Sequence, residues 1–267
     1  MWTNSIFKRS SPKCSSGEPT DFGVLASLAM TDFHSHVLPG MDDGSPDVET
    51  SLAMLSEMKR QGTASVVATP HFYADREYPD TFLARREKAV AALVPLLRAE
   101  QSPAVYLGAE VAYFPGIGET PDLRKLCILG TRFVLVEMPF SRWTSFVLDD
   151  VIAIRERLGL FPILAHIERY FSYFRSADMD RLAESNLLVQ SNAGFFLERQ
   201  THRRALSMLN RSEIQLLGTD SHNMSDRKPN LGEALLSVRE KTENDALWRV
   251  ASMGRQILIG AEPITKF

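Results

Sequence analysis

The chain of 267 residues has only two cysteines, Cys14 and Cys127, which lie far apart and form no Cys-x-x-Cys pair. This scarcity argues against a disulfide framework and against a zinc ribbon. Neither cysteine is followed by an arginine at the spacing of the Cys-x5-Arg phosphate loop, and no glycine-rich Walker motif occurs. A thiol nucleophile and a nucleoside triphosphatase are therefore disfavoured.

Long apolar runs and a strong net charge are also missing. No segment approaches the roughly 20 apolar residues of a membrane span, and no apolar stretch typical of a secretory signal follows Lys8, Arg9 and Lys13. The net charge is −3, which gives no general attraction to nucleic acid or to an anionic membrane. We therefore expect a cytoplasmic protein that neither inserts into membranes nor binds nucleic acid.

The first 29 residues differ in composition from the rest of the chain. Residues 10–19 are small and polar and include Pro12 and Pro19, which predicts a flexible extension over residues 1–29. Met30 could mark the start of the folded unit, or the preceding segment could pack on that unit. Residues 30–267 contain no repeat, linker or break in composition, and are predicted to form a single domain.

From residue 30 onward, short apolar runs alternate with amphipathic segments. The apolar runs are too apolar to face water on either side, as expected for parallel strands covered by helices. We predict helices from Ser45-Pro46 to about residue 62, over about 80–100 and over about 145–158. This alternation favours a single α/β barrel over two domains. The strand-like runs cover residues 65–69, 105–110, 133–137, 161–166, 187–192 and 214–220.

Two histidines stand two residues apart at the end of the first apolar run, in Asp32-Phe33-His34-Ser35-His36. In an extended chain, residues i and i+2 point to the same side, so His34 and His36 can reach one point. Such a pair is weak evidence for a metal ion by itself, because it is equally typical of a polar loop.

Further histidines and acids stand where later apolar runs stop. In a βα barrel the carboxyl ends of the strands form one rim, so these side chains are predicted to converge with His34 and His36. Five of the six histidines in the chain follow this pattern, and His202, in a predicted helix over about 198–209, does not. The additional candidate ligands are His71, Glu110, Glu137, His166, Asp220 and His222.

The mixture of imidazole and carboxylate without thiolate suits Mn, Fe or Zn. The ligands are too many for one ion and sufficient for two or three, which predicts metal-bound hydroxide as a nucleophile for phosphoryl displacement. Arg169 and Arg227 follow His166 and His222 on the same rim, where a guanidinium fork suits phosphate oxygens. An ordinary salt bridge remains the alternative for each arginine.

Several segments, in order along the chain, resemble the motifs of one family. The segment His34 to Gly44, which reads HSHVLPGMDDG, is similar to the opening motif of the bacterial PHP-type metal-dependent protein-tyrosine phosphatases of capsule and exopolysaccharide synthesis. The resemblance covers roughly residues 30–260. The later matching segments are Ala68 to His71, Ala165 to Tyr170, Gln190 to Gly194 and Asp220 to Asn223.

This resemblance implies a distorted (β/α)7 TIM-like barrel, the PHP fold, with three divalent metal ions, manganese first and iron or zinc as alternatives. Arg169 and Arg227 match the phosphate-contacting arginines of the family. The implied ligand sets are His34, His36, Glu110 and Asp220 for one ion, Glu110, Glu137 and His166 for a second, and Asp43, His71 and His222 for a third. Asp42 could replace Asp43.

The sequence departs from the family pattern at three places that remove no ligand. Ile167 stands where proline is usual, Ser221 stands where alanine is usual, and Ser252-Met253-Gly254 replaces an Asn-Pro turn. These departures leave the implied chemistry unchanged and affect only the shapes of local loops.

The resemblance implies hydrolysis of phosphotyrosine, with the tyrosine-rich tail of a bacterial tyrosine autokinase as the partner. The main alternative is another PHP phosphoesterase that acts on a small phosphate, such as histidinol phosphate, or on nucleic-acid ends. A non-catalytic scaffold with a vestigial site is a further alternative. The sequence indicates neither the oligomeric state nor the native metal.

Overall fold

The computed structural model describes residues 22–239, 241, 242 and 245–265 of the chain. Each apolar run from the sequence forms a short strand, and amphipathic segments between them form helices. The strands are β1 (Thr31–Ser35), β2 (Ser65–Ala68), β3 (His71–Phe72), β4 (Ala104–Leu107), β5 (Glu110–Ala112), β6 (Phe133–Glu137), β7 (Phe161–Leu164), β8 (Leu188–Asn192) and β9 (Leu216–Gly218).

The α-helices follow the strands in the expected alternation. Four of them, α1, α2, α3 and α6, correspond to helices predicted from the sequence. The helices are α1 (Val48–Arg60), α2 (Pro79–Leu93), α3 (Ser145–Leu158), α4 (Ser176–Glu184), α5 (Gly194–Leu197), α6 (His202–Asn210), α7 (Leu231–Val238) and α8 (Ala246–Ile257).

The strands pair in parallel and form a curled sheet. One part has the order β1-β2-β4, and the other has the order β3-β5-β6-β7-β8-β9. Two residues separate β2 from β3 and β4 from β5, so the two parts follow each other along the chain. A parallel bridge between Ser35 and Ser221 links β1 to the segment after β9. The chain is thus a single α/β domain around a curled parallel sheet.

Apolar side chains cover both faces of this sheet. The smaller cluster includes Phe33 from β1, Leu135 from β6 and Ile163 from β7, all nearly inaccessible to solvent. The larger cluster packs the helices against the other face. Burial on both faces explains why the strands read as continuous apolar runs rather than alternating ones.

Helix α8 covers the amino-terminal end of β1. A Cβ atom on Gly254 would lie 2.9 Å from Cε2 of Phe33, so only glycine allows this close approach. Ile257 of the same helix joins the smaller apolar cluster. This packing leaves the opposite end of the sheet, where the strands finish, for polar side chains.

The predicted boundary at residue 30 is wrong for residues 22–29. Gly23–Leu28 forms a 3-10 helix, and Phe22, Leu25 and Leu28 are buried in the core. These three residues are spaced by three, which is the period of a 3-10 helix and places them on one face. Residues 22–29 therefore belong to the folded domain, and the prediction for residues 1–21 lies outside the described residues.

The amino terminus of α1 also differs from the prediction. Asp47, not Ser45, is the N-cap, because its side chain accepts a hydrogen bond from Thr50 N. Ser45 Oγ instead donates to the Asp47 carbonyl and lies 2.8 Å from Ser51 Oγ. The start of the helix is therefore set two residues later than the sequence suggested.

Among the residues that the structure describes, no helix is long and apolar enough to cross a membrane.

Candidate metal centre

Polar side chains converge where the parallel strands end. Their nitrogen and oxygen atoms form four overlapping groups, and within each group the ligand atoms lie within 4.8 Å of one another. All nine candidate ligands from the sequence occur in these groups: His34, His36, Asp43, His71, Glu110, Glu137, His166, Asp220 and His222.

The His34–His36 pair lies at the end of β1, as the spacing predicted. The two Nε2 atoms are 3.2 Å apart, and both rings are inaccessible to solvent. His34 Nε2 lies 3.6 Å and His36 Nε2 lies 3.4 Å from Asp220 Oδ1. These three side chains form one of the four groups.

Hydrogen bonds to the other ring nitrogen direct the Nε2 atoms of three histidines towards the centre. An amide, carboxylate or carbonyl oxygen can only accept, so the neighbouring Nδ1 must carry the proton and Nε2 of the neutral ring keeps its lone pair. The three pairs are His34 Nδ1 with Gln190 Oε1 at 3.2 Å, His36 Nδ1 with Asp42 Oδ2 at 2.8 Å, and His222 Nδ1 with the Asp220 carbonyl at 3.0 Å.

Glu110 lies at the middle of the cluster and is 1% exposed. Its Oε2 atom lies 3.1 Å from His34 Nε2, 3.3 Å from His36 Nε2 and 2.9 Å from His71 Nδ1. Its Oε1 atom lies 2.9 Å from His166 Nε2. One carboxylate therefore joins four histidines from the ends of three strands, β1, β3 and β7.

The neighbouring Asp42 and Asp43 have different surroundings. Asp42 is largely buried and accepts hydrogen bonds from Gly44 N and His71 N, besides its contact with His36. Asp43 is 66% exposed, and its Oδ1 atom lies 3.6 Å from His71 Nε2 and 3.5 Å from His222 Nε2. Asp43 therefore lies among the atoms that could hold a metal ion, whereas Asp42 contacts the other nitrogen of the His36 ring.

The turn around Gly44 brings its backbone against His36. A Cβ atom at this position would lie 2.4 Å from both Cβ and the carbonyl oxygen of His36. Any side chain here would displace the histidine. Gly44 is therefore required because its backbone lies so close to His36, and not only because glycine is common in turns.

His166 and Asp220 both adopt positive φ angles, 29° and 53°, which are unusual for residues other than glycine. Hydrogen bonds hold each backbone in place: His166 N donates to Gln190 Oε1 at 2.8 Å, and Asp220 N donates to the His34 carbonyl at 2.7 Å. Strained backbone that is held in this way is concentrated at functional sites.

The two predicted arginines both reach Asp220. Arg169 pairs with Oδ2, and Arg227 Nη2 lies 2.7 Å from Oδ1. Their side chains are 38% and 34% exposed, so each guanidinium keeps a face towards solvent. The ion pairs expected as the alternative are present, and the same geometry places both cations at the edge of the cluster.

Burial and proximity shift the pKa values of the cluster in opposite directions. Burial would raise the pKa of Glu110, but the charges and hydrogen bonds of His34 and His166 hold it well below its usual value. Burial would lower the pKa of His166, but hydrogen bonds with Glu110 and Glu137 raise it to about 9. Burial and the charge of His36 lower the pKa of His222 to about 4.

Divalent cations bind ionised carboxylates and neutral imidazoles, so the shifts at Glu110 and His222 suit a cation, whereas His166 would have to lose a proton to bind one. A cation would displace the proton that Glu110 favours on His166, so its affinity would rise with pH. The donor set also fits because it leaves buried atoms unsatisfied. Within the described residues, four of the five buried side-chain atoms that have no partner in hydrogen-bond geometry belong to this cluster, although Glu110 Oε2 lies close to histidine nitrogens. The four atoms are His71 Nδ1, Glu110 Oε2, His166 Nδ1 and His222 Nε2.

Sequence reasoning missed the buried polar groups that support the ligands. Asp32 is fully buried and accepts hydrogen bonds from His34 N and Thr219 N, and from Thr219 Oγ1 at 2.6 Å. Burial raises the pKa of Asp32 to about 6 despite these bonds. An aspartate inside an apolar strand was the available signal, because a buried carboxyl needs partners.

An amide pair provides similar support on the other side. Gln190 Nε2 donates to Asn192 Oδ1 at 3.0 Å, and Asn192 Nδ2 donates to Asp220 Oδ2 at 3.1 Å. Together with the contacts of Gln190 to His34 and His166, this network fixes three candidate ligands from two amides of β8.

A cavity of about 590 Å³ adjoins the cluster on the arginine side. Arg169, Asp220 and Arg227 line its inner end, and Phe171 and Phe195 contribute apolar surface. The cluster is therefore bordered by a space large enough for part of a larger molecule.

Comparison with known proteins places the chain in a family. A family model described as capsular polysaccharide synthesis, CpsB/CapC, matches residues 30–259. The tyrosine-protein phosphatase YwqE of Bacillus subtilis (strain 168) is 27% identical over 241 residues, which cover 88% of this chain and 93% of YwqE. The tyrosine-protein phosphatase CpsB of Streptococcus pneumoniae is 30% identical over 233 residues, which cover 79% of this chain and 90% of CpsB.

A solved structure shares the fold. It belongs to a study of YwqE from Bacillus subtilis and CpsB from Streptococcus pneumoniae, described as unique metal-dependent tyrosine phosphatases. It aligns with a TM-score of 0.72 at 22% identity, covering 89% of this chain and 100% of that chain. With a family model matched over most of its length, the protein belongs to the capsular polysaccharide synthesis family CpsB/CapC.

Proposed function

We propose that this protein is a metal-dependent protein-tyrosine phosphatase. The observation that carries the proposal is the buried Glu110 carboxylate, which contacts four histidines at the end of the sheet beside two arginines. The phosphotyrosine substrate is supported by the relatives, two of which are named tyrosine-protein phosphatases and cover most of this chain.

We assign the nine ligands to three divalent ions, with manganese as the first choice and iron or zinc as alternatives. The four groups of ligand atoms overlap at His34, His36, His71 and Glu110, as expected where several ions would lie close together. The sets are His34, His36, Glu110 and Asp220; Glu110, Glu137 and His166; and Asp43, His71 and His222.

The bound ions would supply Lewis acidity and an activated water for attack on phosphorus. The protein's own side chains do the remaining work. Glu110 and Asp220 hold negative charge beneath the phosphate site, and Arg169 and Arg227 present guanidinium forks at its edge. In this role the two arginines would neutralise the charge that develops on the phosphate oxygens.

We also propose that the curled sheet closes as a seven-stranded (β/α)7 barrel. If β2 with β3 and β4 with β5 each count as one interrupted barrel strand, the nine strands give seven barrel strands. Closure between β9 and β1 is supported by the Ser35–Ser221 bridge and by the hydrogen bond from His36 N to the Ser221 carbonyl at 2.9 Å.

In the cell, we propose that the substrate is the tyrosine-rich tail of a cytoplasmic tyrosine autokinase that controls capsule or exopolysaccharide synthesis. The family description supports a role in capsule synthesis. The near-neutral charge of the chain agrees with a protein substrate rather than nucleic acid.

A substrate panel tests the proposed activity. The purified protein, supplied with Mn²⁺, should hydrolyse a phosphotyrosyl peptide with a kcat/KM on the order of 10²-fold or more above that for histidinol phosphate or for phosphorylated DNA ends. A preference for histidinol phosphate or for DNA ends would replace the proposal with the alternative phosphoesterase. If the protein hydrolysed none of the three substrates, the proposed activity would be refuted.

A further inference from the structure

Phe140 is an exposed aromatic side chain beside the candidate metal centre. It follows Glu137 by three residues in the loop after β6, and it is 50% exposed. Its ring lies 6.1 Å from the ring of His166, at an interplanar angle of 21°, and 5.2 Å from the ring of Tyr170. One part of the ring therefore covers a candidate ligand, and the rest faces solvent.

Tyr73 has the corresponding position beside another ligand. It follows His71 by two residues, and the two rings lie 5.3 Å apart with an interplanar angle of 30°. The Tyr73 side chain is partly exposed, and its pKa is raised to about 12 by burial and by the charges of Glu137 and Glu110. Tyr73 therefore stacks on a second histidine that contacts Glu110, as Phe140 does through His166.

The two aromatic rings and the two arginines border different parts of the cluster. Phe140 and Tyr73 stack on His166 and His71, which both contact Glu110. Arg169 and Arg227 pair with Asp220. The edge of the site thus has a part with the two arginines that pair with Asp220, suited to phosphate oxygens, and an aromatic part formed by Phe140 and Tyr73. The Arg76 guanidinium carbon lies 4.1 Å from the centroid of the Tyr73 ring in that second part.

We propose that Phe140 and Tyr73 bind the phenyl ring of the substrate and thereby select aryl phosphates, an inference that rests on the proposed phosphatase function. A ring attached to the phosphate would lie just outside the metal cluster, at the level of these two side chains. Aromatic pairs are attractive at centroid separations of about 4.5–7 Å, the range in which both residues already contact histidine rings.

The burial of the cluster also favours substrates whose phosphate lies far from the peptide backbone. Its central side chains, His34, His36 and Glu110, are at most 1% exposed, so a phosphate must pass the rim to meet them. Phosphoserine carries its phosphate on a single methylene, close to its backbone, whereas phosphotyrosine carries it beyond a ring. The aromatic rim therefore matches the longer side chain in both length and chemistry.

Exposure separates Phe140 from phenylalanines with a packing role. Phe72 is 2% exposed and packs edge-on against Phe82 at 5.6 Å, deep in the core. Phe140 leaves half of its surface in water, where an apolar ring contributes little to folding. Contact with a substrate ring would give that exposed surface a function.

The test compares Phe140→Ala and Tyr73→Leu with Phe146→Ala as the matched control. Phe146 is 60% exposed at the start of α3 and has no ring contact with the cluster among the described residues. We expect the first two variants to lower kcat/KM for a phosphotyrosyl peptide roughly tenfold, mainly by raising KM. Phe146→Ala should remain near wild type. Tyr73→Phe, which keeps the aromatic ring, should recover most of the binding that Tyr73→Leu loses.

Inhibition by inorganic phosphate shows which part of the site has changed. Phosphate has no ring, so its inhibition constant and the bound metal content should stay unchanged in Phe140→Ala and Tyr73→Leu. An unchanged KM for the peptide would overturn the inference, and so would an equal rise in KM and in the phosphate inhibition constant. Wild-type protein inactive on phosphotyrosine would instead refute the proposed function.

Discussion

Replacement of Glu110 by glutamine is expected to lower kcat/KM on a phosphotyrosyl peptide on the order of 10³-fold or more. Glu110 is the only side chain that the assignment places on two ions at once, and its two oxygens contact His34, His36, His71 and His166. Glutamine keeps the shape of the side chain but removes its negative charge. The loss should therefore come from the charge and not from a cavity.

The same substitution should reduce the bound metal content, since one carboxylate supplies two ligand sets. Elemental analysis of Glu110→Gln beside wild type measures this directly, and circular dichroism checks the fold. Glu119→Gln serves as the control, because Glu119 is 66% exposed and pairs with Arg157 away from the cluster. Full activity or full metal occupancy in Glu110→Gln would show that Glu110 does not bridge two ions.

Replacement of Arg169 or Arg227 by alanine should lower kcat/KM roughly 10²-fold in each case. Both guanidinium groups lie at the cluster edge, held by Asp220, with more than 30% of each side chain exposed. A phosphate would gain charge-assisted hydrogen bonds from them that strengthen as charge develops on its oxygens. Lysine at either position should recover only part of the activity, because it lacks the planar fork.

The bound metal content of the variants distinguishes phosphate binding by the two arginines from a role in positioning Asp220. Arg169→Ala and Arg227→Ala should retain their metal ions while inorganic phosphate inhibits them more weakly. Arg211→Ala is a suitable control, since Arg211 is 63% exposed and pairs with Glu213 on the surface. If the two variants lost metal and kept wild-type inhibition by phosphate, the arginines would serve only to position Asp220.

The positions of the candidate ligands could be predicted because each follows an apolar strand. The strand β6, for example, covers residues 133–137 in both the prediction and the structure, and Glu137 is its last residue. Parallel strands bring their carboxyl ends to one edge, so sequence order translates into spatial proximity. The position at strand ends was sufficient to predict the convergence of eight side chains, whereas Asp43 was implied by the family resemblance, with Asp42 as its alternative.

Contacts between distant residues were not predictable in this way. The sequence left Asp42 and Asp43 as alternatives because the choice depends on where His36 and His222 lie in space. The role of Gln190 as an acceptor for His34 and His166 depends likewise on the pairing of β7 with β8. Such hydrogen-bond networks leave no periodic signal in the chain.

The prediction for residues 22–29 was wrong because it relied on amino-acid composition and not on the spacing of the apolar residues. Residues 10–19 are rich in serine and proline, which led the whole segment before Met30 to be assigned to a flexible extension. The period of three in Phe22, Leu25 and Leu28 marked a buried 3-10 turn within that segment. Tertiary burial decided the conformation of residues 22–29.

The dependence of phosphotyrosine hydrolysis on bound metal can be tested by removing the metal ions and adding them back. Wild-type protein would be treated with a chelator, shown by elemental analysis to be free of metal, and assayed on a phosphotyrosyl peptide before and after addition of Mn²⁺. We expect turnover to disappear with the metal and to return with Mn²⁺ in proportion to the ions bound. Undiminished hydrolysis of phosphotyrosine by the metal-free protein would contradict this expectation.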